Sequence, residues 1–237
     1  MKLSAPIHGL KRKARLIRRT EAVPLHAALD RIANEEGFHS WSLLMAKRAS
    51  ANGASGLLAR LVPGDLVIVA GRPGQGKTLL SLSLAADAVK SGRRSALFSL
   101  EYTLLDVAAR LRAIGIDPQG LGTNFEVDCS DAIDAAYIIG RLASTPGGTL
   151  VVIDYLQLLD QRRDTPALAL QVGMLRSFAK QRGLILVFVS QIDRAYELSG
   201  RSFPEMTDIR LPNPLDLRLF DKACLVNRGE VRFQPTP

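Results

Sequence analysis

LVIVAGRPGQGKTLLSLSLAADAV, residues 66–89, joins an apolar run, a glycine-rich turn and a helical pattern. It begins with a short apolar run, 66–70, of the kind found in a strand that is buried on both faces. The segment 71–78 then matches the pattern G-x-x-x-x-G-K-[ST] in full, and a helical apolar pattern follows it. A glycine-rich turn between a strand and a helix predicts a binding site for the phosphates of a nucleotide.

Each residue type in this loop has a chemical reason. Glycines allow backbone N–H groups to converge on phosphate oxygens, and the first turn of the following helix adds its positive end. Lys77 is expected to reach the β- and γ-phosphates, and the Thr78 hydroxyl to bind Mg²⁺. The predicted nucleotide-binding residues are Gly71, Arg72, Pro73, Gly74, Gln75, Gly76, Lys77, Thr78 and Leu79.

Around this loop, short apolar runs alternate with helical patterns. The predicted strands are 66–71, 95–100, 125–129, 150–159 and 184–191, and the predicted helices are 77–91, 103–114, 131–144 and 166–182. Such alternation predicts an α/β fold in which helices cover both faces of a mostly parallel sheet. ACLVN and EVRF, separated by Arg228-Gly229, predict a C-terminal hairpin.

Polar residues stand at the ends of three further predicted strands. Asp154 follows the run LVVI and is expected to bind Mg²⁺ through water, while Glu101 closes SALFSLE and is expected to orient or deprotonate the attacking water. Gln191 ends VFVSQ and is expected to sense the γ-phosphate or the water. Ligands of open α/β sheets bind at the carboxyl ends of strands. These side chains should therefore lie close to the glycine-rich segment 71–78, called the phosphate loop below.

Composition limits the class of protein. The chain has 237 residues, 47% hydrophobic and 23% charged, which is typical of a folded globular protein. No apolar run approaches the roughly 20 residues of a membrane-spanning helix, so we expect no membrane contact. Two widely separated cysteines, Cys129 and Cys224, are expected to be core residues of a cytoplasmic protein.

The formal net charge of +8 is concentrated near the N-terminus, since residues 1–60 hold 11 Lys or Arg against 4 Asp or Glu. KRKARLIRR, 11–19, fits either contact with nucleic acid or a solvated helix face. Helical spacing of apolar residues predicts a small basic helical module over 1–48, with a possible protein partner. ASANGASG begins a predicted linker over 49–61, and a nucleotide-binding domain is predicted over 62–237.

AGRPGQGKT, ALFSLEY, LVVIDYLQLL, VFVSQIDR and PEMTDIR, taken together, resemble the successive motifs of the RecA-type ATPase domain of DnaB-like replicative helicases. The resemblance covers roughly residues 60–226 and implies a RecA-like P-loop fold, ATP and Mg²⁺ as cofactors, and hydrolysis by the residues named above. Because residues 1–48 do not look like the family's primase-facing domain, we expect a reduced form that lacks it.

The resemblance also implies partners. Members of the family form hexameric rings around single-stranded DNA and hydrolyse ATP at subunit interfaces. Arg194, Arg201 and Arg210 lie in the loop 193–212 that corresponds to the family's DNA-contacting region. Arg228 is the candidate for a finger that reaches the next subunit's phosphate, although the lysine that the family carries near it is missing here.

Other functions stay open at this point. The main interpretation is an ATPase that acts on single-stranded DNA. The alternative is a regulatory switch of the RecA/KaiC kind with a protein partner and no strand unwinding. A degenerate paralogue that only binds nucleotide conflicts with the intact Lys77, Glu101 and Asp154. A small-molecule kinase usually has a lid of clustered arginines, and no such cluster is found.

Overall fold

A seven-stranded sheet forms the centre of the computed structural model, which describes residues 3–49, 56–160, 165–211 and 213–236. The strands are β1 Leu66–Gly71, β2 Ser95–Ser99, β3 Phe125–Asp128, β4 Leu150–Asp154, β5 Ile185–Gln191, β6 Lys222–Asn227 and β7 Glu230–Pro235. Their spatial order is β3-β2-β4-β5-β1-β6-β7. All neighbours pair in parallel except β6 and β7, which are antiparallel.

Helices cover both faces of this sheet: α4 Lys77–Lys90, α5 Leu104–Ala113, α6 Ala135–Leu142 and α7 Leu168–Arg182. Strand residues alternate between two apolar cores. Val67 and Val69 belong to the core under α4 and α5, whereas Ile68 and Ala70 belong to the core under α6 and α7. Because both faces are covered, the inner strands have apolar residues at successive positions instead of alternating apolar and polar ones. The predicted α/β fold is confirmed.

Element boundaries agree with the prediction to within two residues, except at two positions where they differ by more for physical reasons. The run 150–159 was expected to be one strand, but β4 ends at Asp154 and a 3₁₀ turn, Leu156–Asp160, follows. Leu156 and Leu159 are buried, so an apolar turn continues the pattern of an apolar strand. Helix α6 starts later than predicted because Asp134 caps it, accepting a hydrogen bond from the Tyr137 N–H at 2.8 Å.

The predicted C-terminal hairpin is present as β6 and β7. Its two-residue turn consists of Arg228 and Gly229, which have φ of 52° and 75°. Positive φ at both positions is what a tight hairpin turn requires. Cys224 in β6 is buried, as expected for a core residue, and Cys129 is only partly buried.

Three N-terminal helices have a small core of their own: α1 Ile7–Glu21, α2 Leu25–Glu35 and α3 Trp41–Ala49. Of the predicted linker, 49–61, residues 50–55 lie outside the described part of the chain, and Leu57 and Leu61 are buried beside α4. The division of the chain at these positions stays a prediction. Over the described ranges, no helix is long and apolar enough to cross a bilayer.

Candidate functional site

The phosphate loop connects β1 to α4 in a conformation that its glycines make possible. Gly76 has φ of +88°, a value that side-chain-bearing residues rarely adopt. A Cβ on Gly71 would lie 2.6 Å from the Val226 backbone oxygen of the neighbouring strand β6. The loop therefore excludes side chains at one position by its dihedral angle and at another by close packing.

Lys77 lies at the start of α4 and is mostly withdrawn from water. Its Nζ donates a hydrogen bond to the Arg72 carbonyl oxygen at 3.3 Å. Burial lowers the pKa of Lys77 to about 8, and the nearby carboxylates of Asp154 and Glu101 oppose this shift. A negatively charged ligand near Lys77 would therefore favour the charged form of its amine.

Asp154 at the end of β4 is buried, with 1% exposure. Burial raises the pKa of Asp154 to about 6, against a hydrogen bond from the Thr78 hydroxyl that lowers it. Its second oxygen, Oδ2, is buried without a hydrogen-bond partner among the described residues. Buried carboxylate oxygens are normally satisfied, so Asp154 has an unused acceptor beside Thr78.

A cavity of about 500 Å³ collects most of the predicted site at the carboxyl edge of the sheet. This volume lies within the range of small-ligand pockets. The predicted residues that line it are Pro73, Gly74, Gly76, Lys77, Thr78, Leu79, Glu101, Asp154 and Gln191. Strand ends that are distant in sequence therefore meet at one pocket.

Parts of the chain are similar to known proteins. Residues 55–117 match the family model described as DnaB-like helicase C terminal domain. The chain is 32% identical over 177 residues to the replicative DNA helicase DnaB of a Synechocystis species, covering 62% of this chain and 20% of that protein. It is 26% identical to the DnaB of Pasteurella multocida, covering 79% of this chain and 50% of that protein.

The chain is similar to the DnaB-like helicases. Its fold agrees with solved structures, since one solved ATPase domain aligns with a TM-score of 0.57 at 21% identity, over 69% of each chain. A DnaB-like replicative helicase, studied with its primase interactions, aligns with a TM-score of 0.60 at 18% identity, over 96% of this chain and 73% of that one. The chain spans about a fifth of the length of the Synechocystis DnaB and about half of the length of the Pasteurella multocida DnaB.

Four residues predicted for the site do not line the cavity. Gly71 lies behind the loop, and the Arg72 side chain turns away to Glu197, 3.1 Å, and to the Ile192 carbonyl oxygen, 2.9 Å. The Gln75 Oε1 accepts a hydrogen bond from the Arg228 backbone N–H at 2.7 Å. Arg228 itself is exposed in the hairpin turn.

The cavity also contains residues that the sequence did not single out. Tyr102 follows Glu101 directly, and the Arg110 guanidinium lies over the Tyr102 ring, 3.8 Å from its centroid. Proximity to Glu101 could have drawn attention to Tyr102. Arg110 lies two turns into α5, where an ordinary amphipathic pattern hides its position. Asp30, Ser40 and Ser42 of the N-terminal helices line the cavity as well.

The three arginines predicted for DNA contact differ in their surroundings. Arg194 and Arg210 are exposed, whereas Arg201 forms ion pairs with Glu205, at 2.9 Å, and with Asp208, at 2.5 Å. Arg201 thus stabilises the fold of its own loop, and Arg194 and Arg210 keep their charge at the surface.

The loop that carries these arginines is joined by hydrogen bonds to the strand end beside the cavity. The Arg210 backbone N–H donates to the Gln191 carbonyl oxygen at 2.7 Å. The Gln157 Nε2 donates to the Arg210 carbonyl oxygen at 2.8 Å and to the Ser190 Oγ at 3.3 Å. Gln157 thus bridges the strand end at Gln191 and the arginine loop.

Proposed function

We propose that this chain binds and hydrolyses ATP with Mg²⁺ and uses the cycle to act on single-stranded DNA. The observation that carries the proposal is the convergence of Lys77, Thr78, Glu101, Asp154 and Gln191 on one cavity. A glycine-rich turn alone binds many phosphates, whereas a loop with a carboxylate for metal and another for water suits hydrolysis. Sequence similarity to replicative DNA helicases supports DNA as the second ligand.

The nucleotide phosphates would lie on the loop N–H groups of residues 74–78, with Lys77 on the terminal phosphates. Thr78 and Asp154 would hold Mg²⁺, and the unpartnered Asp154 Oδ2 fits this role. Among the described residues, no group of three or more His, Cys, Asp or Glu could hold a metal alone, so hydroxyl, phosphate and water ligands complete the site. Bound Mg²⁺ neutralises charge that develops on the phosphate oxygens.

Glu101 is the proposed base. It follows β2, lines the cavity and is exposed to it, so it can accept a proton from water as the water oxygen attacks the γ-phosphorus. The bond from that phosphorus to the β,γ-bridging oxygen breaks, and ADP and phosphate leave. Gln191, at the end of β5, would contact the water or the γ-phosphate.

Arg194 and Arg210 would contact the phosphates of single-stranded DNA, with Arg201 shaping the loop between them. Tyr196 and Phe203 in this loop are buried, so backbone charge contributes more to binding than base stacking. The hydrogen bonds of Gln157 would link strand binding to Gln191 and hence to turnover.

Assembly into a homo-oligomer, with a hexamer as the family's form, completes the proposal. Arg228 is exposed in the hairpin turn and would approach the phosphate of a neighbouring copy. A cation that arrives from a neighbour stabilises the transition state and makes hydrolysis depend on assembly.

ATPase activity with and without single-stranded DNA, at increasing salt, tests this function. Glu101→Gln should lower turnover by roughly 10²–10⁴ while ATP binding persists, because a general base is removed and the phosphate loop is not. Glu126→Gln, an exposed carboxylate on the edge strand β3, is the matched control and should keep wild-type turnover.

Two results would contradict the proposal. Equal turnover of Glu101→Gln and wild type would remove Glu101 from the mechanism. Turnover that no single strand stimulates, at any salt concentration, would favour the nucleotide switch with a protein partner.

A further inference from the structure

The N-terminal helices pack directly against the phosphate loop of their own chain. The Trp41 Cδ1 lies 3.9 Å from the position that a Cβ on Gly74 would take. Leu43 and Leu79 form a buried apolar pair.

At the other end of α3, the Arg48 side chain covers Gly229. Its Cδ lies 2.5 Å from the position that a Cβ on Gly229 would take, and its guanidinium pairs with Glu230 at 3.8 Å. Contacts at both ends of α3 fix these helices against the site.

The same helices supply part of the cavity wall. Asp30, Ser40 and Ser42 line it together with the phosphate loop. Asp30 comes from α2, and the two serines flank Trp41 at the start of α3. The carboxyl edge of the sheet therefore provides only part of the enclosure, and a segment far away in sequence provides the rest.

The position of this wall relative to the catalytic groups indicates which part of a nucleotide it faces. The phosphates must start at the loop N–H groups, with the terminal phosphate toward Glu101 and Asp154. Leu79, Ala109 and Ala113 line the cavity as well. Leu43, next to Ser42, shares a surface groove with Leu79 and Ala113. The wall from the N-terminal helices is therefore close to Leu79 and Ala113, and the sugar and base are the parts of a nucleotide that extend beyond the phosphate loop.

The oxygen atoms of this wall are suited to accept hydrogen bonds from donor groups of a ligand. The Asp30 Oδ1 accepts from the Trp41 backbone N–H at 2.8 Å, and the Ser40 Oγ accepts from the Leu43 N–H at 3.2 Å, so both are held in place. A carboxylate repels phosphate, whereas sugar hydroxyls and an amino group of the base are donors.

A second observation in the same region is a buried side-chain donor, the Trp41 indole N–H, that has no hydrogen-bond partner among the described residues. Trp41 is 3% exposed. Buried donors are normally satisfied. This donor lies beside the phosphate loop and between the two serines that line the cavity, although Trp41 itself is not one of the lining residues.

We propose that the N-terminal helices form part of the nucleotide site of their own chain, with Asp30, Ser40 and Ser42 contacting the nucleoside through its sugar hydroxyls or base amino group. This inference rests on the proposed nucleotide binding. It assigns the helices a role in affinity and selectivity for the ligand. A neighbouring copy is not needed for this wall.

Calorimetric titration of the full chain with nucleoside diphosphates and Mg²⁺ tests the inference, because diphosphates are not turned over. Asp30→Asn keeps an oxygen for the Trp41 N–H but loses the charge, and should weaken ADP binding about tenfold. Ser42→Ala should weaken it about threefold. Glu35→Gln, an exposed carboxylate of the same helix outside the cavity, is the control and should bind ADP as the wild type does.

Two analogues separate the contacted groups. If Asp30 accepts from the sugar, the penalty of Asp30→Asn disappears with 2′,3′-dideoxyADP and persists with inosine diphosphate. If it accepts from the base amino group, the reverse holds. A penalty of equal size for both analogues would overturn the nucleoside contact, as would wild-type affinity of both Asp30→Asn and Ser42→Ala.

Failure of the inference and failure of the proposed function give different results. If the wild type binds ADP and Lys77→Ala loses it, while the Asp30 and Ser42 variants bind normally, the inference alone fails. If the wild type binds no nucleotide, the proposed function fails first. Far-UV circular dichroism and a thermal melt of each variant exclude loss of folding as the cause.

Discussion

At the residue scale, the site holds charged groups where water is scarce. Burial raises the pKa of Asp154 to about 6 and lowers that of Lys77 to about 8, so each shifts toward its neutral form. The free chain thus carries an energetic cost that Mg²⁺ and phosphates would relieve. Such a cost is typical of a functional site rather than of a structural ion pair.

Asp154→Asn tests this cost through stability. The folded state binds the Asp154 proton more tightly than the unfolded state, so the free energy of unfolding should fall as pH rises from about 4 to about 6. A rise in pKa from 3.8 to about 6 corresponds to about 3 kcal/mol as an upper estimate. In urea denaturation, the nucleotide-free variant should lack this fall and be more stable than wild type at pH 8.

Asp131→Asn, an exposed carboxylate, is the control for simple loss of charge and should follow the wild-type profile. If Asp154→Asn followed that profile too, Asp154 would not be the source of the cost. The stabilised variant should still lose ATP turnover, since Asn is a poor replacement for a metal-binding carboxylate.

The residues of the site could be predicted because each ends an apolar strand or sits in a patterned loop. Lys77, Thr78, Glu101, Asp154 and Gln191 all carry such a local signal, and they share one cavity. Arg110 and Asp30 carry none, because a polar residue on a helix looks the same whether it faces a ligand or solvent. Only the packing of helices against the sheet distinguishes the two cases.

At the scale of elements, the connection between β5 and β6 matters most. Its backbone pairs with the strand end through an isolated bridge between Ile192 and Ile209 and through the hydrogen bond from the Arg210 N–H to the Gln191 oxygen. The Asn227 Nδ2 holds it from the other side, donating to the Tyr196 hydroxyl at 3.1 Å and the Ser202 oxygen at 3.0 Å. The connection is therefore attached to the two strands that it joins.

Gln157→Ala should uncouple this connection from the nucleotide site. The variant loses the hydrogen bonds to the Arg210 oxygen and the Ser190 hydroxyl, but no group proposed to touch ATP. We expect basal turnover within about twofold of wild type and a fall of about tenfold in its stimulation by single-stranded DNA, consistent with the loss of one or two hydrogen bonds. Steady-state turnover at saturating and zero DNA measures both quantities.

Gln181→Ala, an exposed glutamine on α7, provides the comparison and should be stimulated like wild type. Unchanged stimulation in Gln157→Ala would mean that strand binding reaches the site by another route. Loss of basal turnover as well would mean that Gln157 shapes the nucleotide site directly.

The positions of the helices and strands follow from the sequence pattern more closely than their ends do. β1 has the predicted bounds because the loop glycine interrupts the apolar run, whereas the run at β4 passes without a break into a buried turn. Helix ends set by one hydrogen bond, such as the cap at Asp134, depend on geometry that composition does not encode.

At the scale of the whole molecule, positive charge is segregated. Most bases of the run 11–19 are exposed on α1, with Arg12, Lys13 and Arg15 all on the surface. Lys11 differs, since burial and, to a smaller extent, the nearby Arg228 lower its pKa to about 8. The α1 face and the hairpin turn therefore form one basic region next to the phosphate loop.

Replacing Arg12, Arg15 and Arg19 together by Gln tests whether this region contacts nucleic acid. Each lost phosphate contact reduces the slope of log K against log salt by about 0.7 for single strands, so three contacts would reduce it by about 2. Fluorescence anisotropy of a labelled oligonucleotide at several salt concentrations measures the slope. A triple change at Lys90, Arg112 and Arg182, exposed on the other helices, should leave it unaltered. An unchanged slope in the α1 variant would assign the run to a solvated face.

The packing of Gly71 against Val226 has a consequence for how sequence variation can be read. The space beside Gly71 is filled by a strand backbone, so even alanine is excluded whether or not a nucleotide binds. A library screened only for folding would therefore retain Gly71 while tolerating replacement of Lys77, whose burial costs the free chain energy. Comparing such a screen with one for ATP turnover would separate the part of the loop maintained by architecture from the part maintained by chemistry.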